Sequence, residues 1–156
     1  MNRSAKRFAQ CRNLGLPMNL VIRSAAPELA SQLSLLTHAA ELELATIRFD
    51  KQTSSITVPL RRKRYLRKRL FFGFGERYQL VSPETIECLL LVRDVLEFTQ
   101  EDRLSLPRVT LLFGAKLTER ELYLCSAEES KGIAAFELLI KIRSCDIELR
   151  DRDSFA

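Results

Sequence analysis

The sequence is poor in the residues on which most enzyme sites depend. Among 156 residues it has one histidine, no tryptophan and four cysteines that form no CxxC pair. Nucleophilic catalysis by serine or cysteine needs a nearby base, and zinc sites need clustered histidine and cysteine ligands. The sequence also lacks a calcium-type acidic loop and a phosphate-binding glycine loop. We therefore predict no catalytic, cofactor-binding or metal-binding residues, and a protein that is not an enzyme.

Long apolar runs and an export signal are missing as well. No apolar run approaches the roughly 18 residues of a membrane span. The basic first 17 residues contain no apolar stretch of about 7–15 residues, the core of a secretory signal. Three of the four cysteines, Cys88, Cys125 and Cys145, lie in apolar runs and are expected to be buried, reduced thiols. These features predict a cytoplasmic protein without a transmembrane segment.

The length and composition are typical of one soluble domain. Apolar residues make up 46% of the chain and charged residues 29%. We expect a basic flexible extension over 1–17, one β-rich domain over 18–150 and a polar tail over 151–156. Met18 is an alternative to Met1 as the first residue, because the first predicted strand begins there.

The net charge of +5 conceals an uneven distribution. Residues 1–78 contain 15 basic and 5 acidic residues, whereas residues 79–156 contain 10 basic and 15 acidic ones. The halves therefore carry +10 and −5. Such an asymmetry favours either an anionic partner for the first half or attraction between the two halves within the fold.

One amphipathic helix is predicted near the start of the chain. Ser24-Ala-Ala-Pro27-Glu28 has the composition of a helix N-terminus. The apolar residues that follow are spaced so that they share one helical face, with polar residues opposite: Leu29, Leu33, Leu36 and Ala40. His38 lies near the end of this helix, where we interpret it as a surface or capping residue.

From Leu42 onward the apolar period changes from that of a helix to that of a strand. Leu42 and Leu44 alternate, whereas Ile47 and Phe49 continue on the opposite parity, which predicts a bulge near 45–46. A polar turn over 50–55 then leads to a second alternating run that begins at Ile56. This pattern predicts a hairpin.

Residues 86–99 are ambiguous between a helix and a strand. A helical projection leaves no coherent polar face, whereas a strand places six apolar residues on one side: Ile86, Cys88, Leu90, Val92, Leu96 and Phe98. We predict a strand. Asp94 is the one residue of that side that does not fit.

The rest of the chain keeps the period of a strand. Residues 109–113 and 122–124 alternate on either side of a polar turn. The last run is apolar at even positions up to Ile142 and at odd positions from Cys145, which predicts a bulge or tight bend near Ser144. Together the elements predict a mainly β (α+β) fold. Its antiparallel sandwich or curled sheet would have about seven or eight strands, with the N-terminal helix packed on it.

The segment 61–75 has the most unusual composition. Residues 61–69, here called the basic segment, contain seven cations and are followed by a phenylalanine-rich run. Alternation fails after Leu60, so we expect the chain to leave the core there. The candidate anion-binding residues are Arg61, Arg62, Lys63, Arg64, Arg67, Lys68 and Arg69. The candidate residues for stacking on bases or contacting a membrane are Tyr65, Phe71, Phe72 and Phe74.

These observations favour a binding function over catalysis. The first hypothesis is a protein-interaction or structural module of unknown partner, in which the basic segment is a solvated arm that protects a sheet edge. The alternative is an anion-binding module that uses 61–75. Nucleic acid is favoured over an anionic membrane surface as its ligand. The identity of the partner and the oligomeric state stay open.

Overall fold

The computed structural model describes residues 19–64, 67–72, 75–80, 84–111, 114–126, 128–130 and 133–152. The predicted extension over 1–17 and most of the tail over 151–156 lie outside these ranges. The mainly β, antiparallel fold with one helix is confirmed. The elements are β1 (Asn19–Ile22), α1 (Pro27–Thr37), β2 (Glu41–Glu43), β3 (Arg48–Asp50), β4 (Ser55–Arg64), β5 (Arg67–Phe72), β6 (Gly75–Leu80), β7 (Glu84–Val92), β8 (Val95–Asp102), β9 (Arg108–Thr110), β10 (Lys116–Leu117), β11 (Glu121–Cys125), β12 (Glu128–Ser130), β13 (Ile133–Ala134), β14 (Phe136–Ile142) and β15 (Ile147–Asp151).

Two antiparallel sheets enclose the core. The larger one has the order β1-β15-β7-β4-β2-β9, with β3 also paired to β4, and the smaller one has the order β10-β11-β14-β8. Inward-facing residues of both sheets belong to one buried apolar cluster. Along β14, Phe136, Leu138, Ile140 and Ile142 are all buried, as the alternation predicts.

The chain crosses between the sheets twice at one corner. β7 of the larger sheet leads into β8 of the smaller sheet through Arg93 and Asp94, and β14 returns to β15 through 143–146. The two crossings are hydrogen-bonded, since the Arg93 amide donates to Asp146 O and the Arg143 amide to Asp94 O, both at 2.9 Å. The predicted bend near Ser144 is confirmed at this corner.

The single strand predicted over 86–99 is two strands in different sheets. Asp94 adopts a φ of 55°, a left-handed conformation that turns the chain out of the larger sheet. Cys88, Leu90 and Val92 are buried as predicted. The expectation that Leu96 and Phe98 share their face in the core is wrong, because both side chains are exposed on β8.

A short 3₁₀ turn separates β2 from β3. Leu42 lies opposite Leu60, whereas Arg48 lies opposite Thr57 rather than the Ser54 that uninterrupted pairing would require. The turn over Leu44–Thr46 accommodates the three extra residues. The parity change in the sequence thus marks a real interruption, and the predicted hairpin follows it as β3 and β4.

Helix α1 packs against β10 and the residues before it. Leu33 is buried at the centre of the predicted apolar stripe, and Thr37 is buried at the last turn. The Thr37 hydroxyl donates to Leu33 O and accepts from the Ala115 amide, both at 2.7 Å. The exposed His38 caps the helix through its backbone amide, in agreement with the predicted capping position.

Gly114 allows the chain to approach this helix closely. Its φ is +71°, and a Cβ added there would lie 2.2 Å from Ser34 O and 2.8 Å from Thr37 Oγ1. Both the conformation and the space therefore require glycine.

We expect Gly114→Ala to lower the free energy of unfolding by more than about 1 kcal/mol, because the left-handed backbone and the overlap both act against it. Urea denaturation measures the change. Ala39→Gly is the matched control, since Ala39 has a φ of 57° and glycine relieves that strain. An equal loss of stability in both variants would contradict this account of Gly114.

Candidate functional site

The basic segment continues a strand of the main sheet and then enters a separate hairpin. β4 pairs with β7 as far as Arg64 opposite Glu84. β5 and β6 form a two-stranded sheet from Arg67 opposite Leu80 to Phe72 opposite Gly75. These two strands, 67–72 and 75–80, are here called the basic hairpin, which within the described ranges pairs with no other strand. Tyr65 and Phe74, two of the candidate stacking residues, lie outside the described residues.

Arg62 does not project into solvent. It is 6% exposed and holds Asp151 with two parallel hydrogen bonds, Nε to Oδ1 at 3.0 Å and Nη2 to Oδ2 at 2.7 Å. Asp151 is 2% exposed and is the last residue of β15 rather than the first residue of a frayed tail. The expectation that the chain leaves the core after Leu60 is therefore wrong at Arg62. A guanidinium buried against a carboxylate is not available to an external anion.

The buried Arg62–Asp151 pair joins β4 to β15 across β7, the strand that lies between them. β7 lies between β4 and β15, and Cys88 on β7 is opposite both Leu60 and Asp151. Burial raises the pKa of the Cys88 thiol to about 12, although the Arg62 charge lowers it. Cys88 is therefore a neutral, buried thiol at physiological pH, while Cys125 and Cys145 are half-buried and free.

We expect Arg62→Met to lower the free energy of unfolding by about 3–5 kcal/mol, because it leaves the Asp151 carboxylate buried without the guanidinium. The double variant Arg62→Met/Asp151→Leu should recover most of this loss. Arg61→Met is the matched control, since the Arg61 side chain is 45% exposed. Urea unfolding of the unmodified protein and the three variants measures these differences. An Arg62→Met variant as stable as Arg61→Met would show that the Arg62–Asp151 pair is dispensable.

Other first-half arginines also pair with second-half acids. Arg23 contacts Asp146 at 2.5 Å, and Arg61 lies 3.8 Å from Glu87. Near the corner, Arg150 and Arg93 both bond the buried Glu148, each at 2.6 Å, and hold its pKa below the usual range. The contacts of Arg23, Arg61 and Arg62 with second-half acids thus match part of the charge asymmetry within the fold, which is one of the two explanations that the sequence left open.

A cleft of about 360 Å³ lies on the outer face of the larger sheet, across β7, β4, β2 and β9. Its charged lining is mixed and comprises Glu41, Glu43, Arg61, Glu87 and Arg108. Arg61 therefore faces carboxylates as well as solvent. Within the described part of the chain, no cluster of histidine, cysteine and acidic residues is arranged to hold a metal ion. The cleft lacks the convergent polar groups of one sign that select a charged ligand.

The exposed edge of the smaller sheet was not recognised from the sequence. β8 is the outer strand of that sheet, and all of its residues except Val95 are exposed. The Val95 amide donates to Ser54 O at 2.9 Å. From Leu96 onward, no described strand pairs with the outer edge of β8. The signal in the sequence was Asp94, which interrupted the apolar side of the predicted strand.

Apolar side chains accompany this open edge. Leu96 is 55% exposed, and Phe98 packs on Phe49 of β3 with ring centroids 4.9 Å apart. Phe98 and Phe49 are 38% and 40% exposed. In strand addition the main-chain hydrogen bonds give affinity, and contacts with alternate side chains give specificity.

The opposite face of β8 is held by charges. Lys141 of β14 lies 3.0 Å from Glu97, and Arg103 bonds both Glu101 and Glu137. Glu137 also accepts a hydrogen bond from the Tyr123 hydroxyl at 2.7 Å. The contacts of Glu97 and Arg103 add exposed ion pairs to the backbone pairing that holds β8 on β14.

Comparison with known proteins assigns the chain to no family. No family model matches the chain, and the searches of curated proteins and of solved structures found no match. Of the helices in the described ranges, none has the length and apolar character needed to cross a bilayer.

Proposed function

We propose that this protein is a protein-interaction module whose partner adds a strand to the outer edge of β8. The observation that carries the proposal is the open edge itself, which comprises the seven exposed residues from Leu96 to Asp102. Alternate residues of an edge strand direct their amide and carbonyl groups away from the sheet. An extended peptide satisfies these groups by pairing with them.

Side chains at the edge provide contact area in addition to backbone pairing. Leu96 and the Phe49–Phe98 pair would lose solvent contact beneath an added strand. Natural edge strands are usually shortened, covered or protected by charge. β8 is long and has its apolar residues at its start, with acids confined to positions 97, 101 and 102. The surface thus favours binding of a polypeptide over catalysis.

We expect peptides selected from a random library against the immobilised protein to bind at β8. Bound peptide should slow amide hydrogen exchange in 96–102. Leu96→Lys should weaken binding about tenfold, or about 1.4 kcal/mol, because a contact leucine is lost. Affinity by calorimetry and site-resolved exchange measure both effects.

Leu35→Lys is the matched control, since Leu35 is 76% exposed on α1, away from the edge. It should bind the selected peptides like the unmodified protein. Peptides that protect β4 and β7 instead of β8, or that bind Leu96→Lys undiminished, would count against the proposal.

A second candidate function is anion binding by the remaining cations of the basic segment. Lys63 is exposed, and the basic hairpin is separate from both main sheets. These two observations support an accessible cationic surface once Arg62 is excluded. Single-stranded nucleic acid is the favoured ligand, and an anionic membrane surface is the weaker one. A cytoplasmic location stays a prediction.

If this second function holds, binding to single-stranded RNA should weaken steeply with salt, with a slope of log K against log salt of about −4 for six cations. Replacing Lys63, Arg64, Arg67 and Arg69 with serine should flatten the slope. The control removes four exposed arginines elsewhere, at positions 48, 108, 120 and 143. Fluorescence anisotropy at several salt concentrations measures the slope for each variant. Equal slopes in the two variants would exclude a role for the basic segment.

A further inference from the structure

We infer that the strand that adds to β8 is β5 of a second copy of this chain, in antiparallel orientation. The inference rests on the proposed function of the β8 edge and names its partner. Two observations support it. The compositions of β5 and β8 are complementary, and each strand has one edge without a strand partner among the described residues.

β8 changes character along its length. It begins with Val95, Leu96 and Phe98 and ends with Glu101 and Asp102. Apart from Glu97, which Lys141 of the same chain contacts, its exposed start is thus apolar, and its exposed end is acidic. A strand that matches it must be apolar where β8 is apolar and basic where β8 is acidic.

β5 has the matching gradient in the reverse direction. It begins with Arg67, Lys68 and Arg69 and ends with Leu70, Phe71 and Phe72. In an antiparallel pair the cations of β5 lie opposite the acids of β8, and the apolar end of β5 lies opposite the apolar start of β8. A parallel pair would place cations against Leu96 and Phe98. The composition therefore selects the antiparallel orientation.

In the part of the chain that the structure describes, each of the two strands has one edge without a strand partner. β5 pairs only with β6, and β8 pairs only with β14, among the described residues. The six residues of β5 fit within the seven residues of β8 that follow Val95. Within the described ranges the facing edges of both strands are thus free of a strand partner, and Glu101 would add a contact to β5 to the one it already makes with Arg103.

The interface is heterologous, because a hairpin of one copy contacts a sheet edge of another. A single such contact leaves a free hairpin and a free edge that can bind further copies, whereas two copies that exchange hairpins reciprocally close into a dimer. It also predicts strong dependence on salt, since opposite charges meet at one end of the pair.

Charge reversal on each strand provides the test. The β8 variant is Glu101→Lys/Asp102→Lys, and the β5 variant is Arg67→Glu/Lys68→Glu. By analytical ultracentrifugation, the unmodified protein should exceed the 17.9 kDa of one chain as concentration rises. Each variant alone should stay at one chain. An equimolar mixture should associate again, because β5 of each variant then meets an edge of opposite charge.

The control Glu28→Lys/Glu119→Lys reverses two exposed acids outside both strands and should associate like the unmodified protein. Restored association in the mixture also shows that both variants are folded. A constant mass of one chain for the unmodified protein would overturn the inference. So would self-association of the β5 variant alone or failure of the mixture to associate.

The outcomes separate this inference from the proposed function. If selected peptides bind at β8 while the unmodified protein stays a single chain, the edge is a binding site for another polypeptide. The inference that a second copy supplies the added strand is then wrong. If peptides bind elsewhere and the protein stays a single chain, both proposals are wrong.

Discussion

The corner at which two adjacent chain crossings hold each other is the constraint on which the rest of the structure depends. The backbone hydrogen bonds between Arg93 and Asp146 and between Arg143 and Asp94 require both crossings to lie side by side, at the same position along the paired strands. The Ser144 hydroxyl also donates to Asp94 at 2.5 Å. Because β7 and β15 pair in one sheet and β8 and β14 in the other, the corner aligns both sheets over one core. It also turns β8 outward, which creates the open edge.

Charge in this protein is divided between internal and external roles, and the local composition does not reveal which role a residue has. Arg62 lies among six other cations, yet its side chain reaches across β7 to Asp151 at the end of β15. Its neighbours Arg61 and Lys63 point to the opposite, outer face because side chains alternate along a strand. A run of arginines that continues a core strand therefore places some of them inside.

Several features were predictable from residue parity alone. The parity change after Leu44 marked the 3₁₀ turn, and the change after Ile142 marked the corner near Ser144. Parity reports a change of face but not which sheet the next strand joins. Over 86–99 the parity did not change, so Leu96 and Phe98 were placed in the core. The left-handed turn at Asp94 moved them to an edge.

By itself the sequence determined the mainly β fold, the position of the helix and most of the apolar core, because each depends on the local period of apolar side chains. Only the tertiary structure decided that Arg62 is buried, that Asp151 ends a core strand and that β8 is an open edge. These depend on partners up to 89 residues away and on the order of strands in a sheet. A local period carries no information about either.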